Sequence, residues 1–285
     1  MRRHVKMRMR FLVVVTAVLA QVSLAIRLPA QQHTFLGMDR NDYPGDANMQ
    51  ILKKTFAFTG YWLNNPPGAR SNTWAGRRAV LEEMGYGFVL LFNGREYAQL
   101  KASGDAAGVG VRDGQAAVQA AERDGFPAKA VIFLDQEQGG RMLPEQRAYI
   151  YIWADTVMRA GFRAGVYCSG IRFRESRTIS VTTATDIREN AGGREIHFFV
   201  SNDQCRPSPG CVFPMPPPNP ADGGIESADV WQYAQSPRRP ELTAACRKTY
   251  AADNNCYPPG AAPSSNWYID VDTAKSADPS QARTR

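Results

Sequence analysis

The chain has 285 residues, a formal net charge of +7, three histidines and five cysteines. Residues 1–25 hold five Lys/Arg and no Asp/Glu, which leaves the remainder near +2. The basic excess therefore belongs to the N-terminus. With no Lys/Arg run elsewhere to track phosphates, a nucleic-acid partner is not expected. Only His33 and His197 remain beyond the first residues, far apart, and no His/Cys spacing suits zinc. No metal or organic cofactor is expected, and neither a phosphate-cradling glycine loop nor a nucleophile elbow is present.

In chain order, Arg2, Arg3, Lys6, Arg8 and Arg10 precede the apolar run Phe11–Ala20 and the small residues Ser23-Leu24-Ala25. That order reads as a secretory signal peptide over residues 1–25, with Ala30 as a second cleavage option. The run falls short of the roughly 20 residues that span a bilayer. A secreted or periplasmic protein follows, with no stable membrane insertion after cleavage. Eight apolar runs come next: Phe35–Asp39, Phe56–Trp62, Tyr86–Phe92, Ala130–Asp135, Ala164–Cys168, Ile196–Ser201, Asp229–Tyr233 and Trp267–Asp272. Helical spacing separates several of them, over Trp74–Met84, Gly114–Arg123 and Pro144–Ala160. The last has Pro in its first turn and Gly161 just past its end. Strands alternating with helices predict a parallel sheet with crossovers. Eight in this length predict one α/β domain, a (β/α)8 TIM-type barrel over residues 34–273. The glycine-rich turn of an open doubly wound sheet is missing after the first run.

The second half is less regular. Cys205–Gly224 is proline-rich and Ser236–Ser265 is a second long loop. Each carries a cysteine pair, Cys205 with Cys211 and Cys246 with Cys256. Their proximity in sequence makes the local pairs candidate disulfides, with the pairing open. Cys168 is expected as a buried free thiol. Residues 274–285 are polar and expected to form a flexible tail.

Acidic residues terminate several runs: Asp39, then Asp135 and Glu137, then Asp270 and Asp272. Positions i and i+2 of a strand face the same way, and barrel active sites lie at the C-terminal strand ends. Carboxyls converging there push one another's pKa values apart, so one can act as acid while another stays ionised. That is what glycosidic cleavage needs, and the carboxyl separation decides retaining or inverting stereochemistry. Tyr43, Tyr61, Trp62, Asn64, Asn93, Tyr167, Trp231, Gln232 and Tyr233 fall at or just after strand ends, and rings with amides suit sugars. Some of these rings can equally be core.

Gly37-Met38-Asp39, Tyr43-Pro44-Gly45, Gly60-Tyr61-Trp62, Phe133-Leu134-Asp135-Gln136-Glu137, Gly165-Val166-Tyr167-Cys168-Ser169-Gly170, Val230-Trp231-Gln232-Tyr233 and Asp270-Val271-Asp272 occur in that order. Together they resemble the secreted glycoside-hydrolase-like domain of unknown function 1906, a relative of the family 25 lysozymes, which cleave bacterial peptidoglycan. The resemblance implies roles by position. Glu137 would protonate the leaving oxygen. Asp135 would orient the substrate amide or polarise a water. Asp39 would line the site, and Asp270 would be the acidic residue of the last strand. The lysozymes usually show Asp-Leu-Asn where this chain has Asp-Val-Asp, which leaves open which aspartate is equivalent.

The expectation is an exported, monomeric, lysozyme-like glycoside hydrolase acting on peptidoglycan or another envelope glycan. Its catalytic residues are Glu137, Asp135 and Asp39; Asp270, Asp272, Tyr43, Tyr61, Trp62, Asn93, Tyr167, Trp231 and Gln232 bind substrate. The alternative is a catalytically inactive glycan-binding barrel.

Overall fold

The computed structural model describes residues 33–261 and 267–283. The expected signal peptide, residues 1–25, lies outside them. Among the described residues ten strands occur: β1 Phe35–Asp39, β2 Phe58–Trp62, β3 Gly87–Asn93, β4 Val131–Asp135, β5 Arg163–Ser169, β6 Phe173–Arg174, β7 Ser180–Val181, β8 His197–Ser201, β9 Val230–Ala234 and β10 Asp270–Ala274. The helices are α1 Asp46–Leu52, α2 Arg78–Glu83, α3 Tyr97–Ser103, α4 Ala106–Arg123, α5 Pro144–Arg159, α6 Thr183–Glu189 and the single turn α7 Pro240–Thr243. Eight strands close into a barrel in the order β1-β10-β9-β8-β5-β4-β3-β2, and β6 pairs with β7 in a separate hairpin. The α/β barrel class expected from the sequence is the one observed.

Three barrel strands, β2, β4 and β9, are buried along their whole length, and the other five are buried except at one or both ends. That suits strands packed inside and covered outside. In the interior, large side chains fill the places of missing ones. The Phe58 ring lies where a Gly37 side chain would stand, and Phe133 does the same over Gly165. The outer layer rests chiefly on α4 packed against α5. Helix α4 begins at an Asp105 cap that accepts from the Gly108 amide at 2.8 Å. This is well ahead of the predicted Gly114, because Gly108 and Gly110 dilute the apolar pattern of its first turns. Helix α5 runs as expected, with Gly161 at φ +88° closing it.

Three expectations are corrected. First, the last strand is shifted towards the C-terminus and runs the other way, antiparallel to both β1 and β9. Among the described residues of the connection 235–269, the helical pieces are α7 and a short 3-10 helix. Its described residues form no helical crossover, and β10 re-enters the sheet downwards from the mouth. Second, the tail is held. Ser280 accepts from the Val131 amide, donates its own amide to the Phe88 carbonyl, and is fully buried with Ala282. The Asp278 carboxylate accepts from the Phe88 amide at 3.0 Å and the Ser280 hydroxyl from the Leu90 amide at 2.9 Å. Backbone groups at the barrel base need partners, and residues 275–283 provide them.

Third, the disulfides cross between loops. They join Cys205 to Cys246 and Cys211 to Cys256, with Cα separations of 5.7 and 5.4 Å, within the usual span. The two mouth loops lie side by side: the Cys205 amide donates to the Leu242 carbonyl and the Cys211 amide to the Thr249 hydroxyl. Each cysteine thus meets a partner across the gap. Cys168 is a buried free thiol, its pKa pushed up by burial.

Gly165→Ala would drive its Cβ into the Phe133 ring, and a loss of about 1–3 kcal/mol is expected from overpacking, read as a lower urea midpoint that Phe133→Leu partly restores. Peptide mapping without reductant should recover 205–246 and 211–256 as linked peptides. Replacing Cys211 and Cys256 together by Ser is expected to cost about 2–4 kcal/mol.

Candidate active site

The mouth collects the C-terminal ends of the seven parallel strands and the first residue of the reversed β10. Side chains alternate along each strand. Asp39 therefore faces inwards with Gly37, Asp135 with Phe133, Tyr167 with Gly165, and Asp270 with Asp272. Asp39, Asp135 and Asp270 line one central cavity of about 320 Å³, together with Trp62, Tyr167, Gln232, Arg239 and Glu137. An adjoining groove of about 550 Å³ is lined by Asn64, Asn65, Asn93, Arg95, Glu96, Gln99 and Gln138. Pro67, Asp135 and Glu137 border both.

A hydrogen-bond network fixes the cavity's inner wall. The Gln232 Oε1 accepts from the Tyr167 hydroxyl at 2.7 Å and from Gln235 Nε2 at 2.6 Å. This turns Gln232 Nε2 towards the carboxylates, donating to Asp39 Oδ2 at 2.8 Å and reaching Asp270 Oδ2 at 3.4 Å. The Ser236 amide donates to Asp270 Oδ1. Arg239 is presented to the cavity by a two-point pair with the fully buried Asp203, Nη2 to Oδ1 at 2.6 Å and Nε to Oδ2 at 3.2 Å.

Burial and mutual repulsion dominate the electrostatics. Burial pushes Asp39 up to about 6, against the lowering effect of its Gln232 hydrogen bond. Asp135 stands well above the carboxylate range because it is buried, with Glu137 and Asp39 adding like charge. Asp270 is raised by burial and by Asp39, opposed by the Ser236 amide and Arg239. Glu137 follows β4 in a loop rather than ending the strand, and as a residue it is exposed. Its carboxyl, at the border of cavity and groove, is still raised by partial desolvation and by Glu96, with Arg239 opposing.

The aromatic residues divide by strand face. Trp62 lines the cavity, its Nε1 donating to the Arg40 carbonyl at 3.2 Å, and Tyr167 lines it too. Asn93 borders the groove and donates to the Asn65 carbonyl at 2.9 Å. Tyr61 points outwards instead, its hydroxyl on Asp124 at 2.8 Å and its ring among Trp74, Phe88 and Phe126. Trp231 and Tyr233 also face out, donating to the carbonyls of Asn202 and Val212. Tyr43 packs edge-on against Trp74 and bonds Asp46 at 2.6 Å. Asp272 lies fully buried, two residues deeper than Asp270. Tyr43, Tyr61, Trp231 and Asp272 line neither space, which corrects their expected contact with substrate. Arg239, Gln235, Ser236, Arg95 and Glu96 were not expected in the site. The first three sit on the loop after β9, whose course depends on the disulfides and on the reversal of β10. No local sequence signal announces them.

Chemically, the arrangement combines carboxyls of unequal proton affinity with an apolar ring and a row of amides. It can protonate a leaving oxygen, hold negative charge beside a developing cation and hydrogen-bond a polyhydroxylated ligand.

Among solved structures, the chain resembles an uncharacterised protein from B. stearothermophilus at 17% identity and a TM-score of 0.54, covering 84% of this chain and 95% of that one. That likeness speaks to the fold. It also aligns with the Tat-secreted protein Rv2525c of Mycobacterium tuberculosis at 13% identity and a TM-score of 0.49, covering 85% and 94%. The spore cortex lytic enzyme SleM of Clostridium perfringens aligns at 15% identity and 0.49, covering 87% and 70%. A search of curated proteins finds no match. A family model matches residues 56–204, just over half of the sequence, and by that match the chain belongs to the Rv2525c-like, glycoside hydrolase-like domain family.

Proposed function

We propose that the protein hydrolyses glycosidic bonds of peptidoglycan or another envelope glycan, with Glu137 as the general acid. The observation that carries this reading is the place of Glu137 on the border shared by cavity and groove. A saccharide chain lying through both would pass one glycosidic oxygen beside that carboxyl. The raised pKa of Glu137 keeps a proton available at higher pH than an ordinary glutamate would. Asp39, held by the Gln232 donor, is largely ionised above about pH 6 and supplies the negative charge an oxocarbenium-like transition state requires. Asp135, between the two, polarises the water or the substrate amide. Trp62 offers an apolar face to one sugar ring, and the amides of the groove suit acetamido and peptide groups.

Action outside the cytoplasm belongs to the same proposal. The basic and apolar start of the sequence and the two disulfides support it. Among the described residues no helix is long and apolar enough to cross a membrane.

Mass spectrometry of peptidoglycan after incubation with the protein should show released muropeptides, and Glu137→Gln should lower the rate about 10²–10⁴-fold. No sugar released from peptidoglycan or a broad glycan panel would end the hydrolase reading. Glycan affinity surviving Glu137→Gln without any turnover would instead establish a binding barrel. Trp62→Ala should weaken glycan binding in either case, read by calorimetry. The basic limb of the pH–rate profile should lie above that of an unperturbed glutamate. Glu96→Gln removes a like charge, eases ionisation of Glu137 and should move that limb to lower pH.

A further inference from the structure

Four aspartates share the upper barrel interior, and they differ in what donates to them. Asp39 accepts from Gln232 Nε2, and Asp270 accepts from the Ser236 amide. Asp135 has one oxygen buried without a partner and borders both spaces at the mouth. Asp272 alone has both oxygens buried with no donor reaching either. It is fully buried on β10, opposite Gly37 and beside Gln232 of β9, while Asp270 stands opposite Asp39. The titratable groups around it are Asp39 of β1, Asp270 of its own strand and Tyr233 of β9. Among the described residues no Lys, Arg or His forms an ion pair with it.

An ionised carboxylate in that position would be stripped of water, bonded to no donor and set beside further carboxylates. A protonated one reverses each of these faults. Its hydroxyl becomes the donor that the acceptor-rich pair with Asp39 lacks. We propose that Asp272 is held as a neutral carboxylic acid that donates its proton to Asp39, acting as a positioning residue for the carboxylate that lines the cavity. The donation adds a second hydrogen bond to Asp39 beside that of Gln232. It favours the ionised form of Asp39 and fixes its orientation. The direction of the shifts agrees: Asp272 is raised well above the carboxylate range, and its hydrogen bond draws Asp39 downwards. The inference concerns a proton inside the barrel and does not require turnover.

The test is carboxyl-¹³C aspartate NMR on the purified protein with urea unfolding across pH. At pH 7 a protonated carboxyl resonance is expected, and Asp272→Asn, which keeps a donor of the same shape, should remove it. The sign of the stability effect follows from linkage. The folded chain keeps a proton that the unfolded chain loses above about pH 4. Relative to Asp272→Asn, the wild type should therefore weaken as pH rises from about 4 towards the folded-state pKa, its unfolding constant growing about tenfold per pH unit. The two proteins should converge at pH 4. A spectrum with every aspartate ionised at pH 7 would overturn the proposal, as would a stability difference that does not change with pH. Should Asp272→Asn fail to fold, Asp39→Asn decides. An amide at 39 can donate to Asp272, so the protonated resonance should titrate at lower pH, and an unchanged titration would refute the proposal. Neither readout involves hydrolysis, so this result and that of Glu137→Gln can fail separately.

Discussion

A carboxyl group inside a protein must be either charged and well supplied with donors or neutral. This barrel places four of them within one interior: Asp39, Asp135, Asp270 and Asp272 are all withdrawn from solvent or nearly so, and among the described residues none holds an ion pair. The desolvation penalty for an ionised carboxylate in such a place is several kcal/mol after relaxation. The group cannot all ionise together, so the protons must be unevenly distributed. The fold meets this with fixed neutral dipoles. Tyr167 and Gln235 orient the Gln232 amide, and the Ser236 backbone serves Asp270. The close-packed layer of Phe58 and Phe133 over Gly37 and Gly165 gives those dipoles a rigid floor.

Much of this was legible in the sequence. Seven of the barrel strands lie within or close to the apolar runs, because strands buried on both faces must be apolar throughout. Asp39, Asp135, Glu137 and Asp270 meet at one cavity because strand ends on one rim of a closed sheet have no other place to go. The alternation of side chains also held information. Trp231, Gln232 and Tyr233 cannot share a face, and the inward position of Gln232 sends both rings outwards. The same rule separates Tyr61 from Trp62.

The direction of β10 was not legible, since nothing in Asp270-Val271-Asp272 says which way the strand runs. That depends on whether the preceding thirty or so residues cross the barrel's outside. Among the described residues they form no such crossover, and the reversal exchanges the depths of two aspartates. Asp270 reaches the cavity and Asp272 lies beneath it. The disulfide pairing was equally non-local, set by two loops lying side by side. Arg239 depends on both features, because its loop is anchored by those bridges and its guanidinium is aimed by Asp203 from the neighbouring loop.

The two bridges also make the mouth mechanically uneven. On one flank, the segment carrying Gln235, Ser236 and Arg239 is covalently braced to the loop after β8. On the other, the segment 64–72 carries no cross-link and is kept in place by hydrogen bonds, among them a reciprocal pair between Asn64 and Asn93 and the bond from Asn72 Nδ2 to the Trp62 carbonyl. The cleft thus has one flank that is cross-linked and one that is not. The groups that orient the acidic residues stand on the covalently braced side, and the row of amides stands on the side held by non-covalent contacts alone.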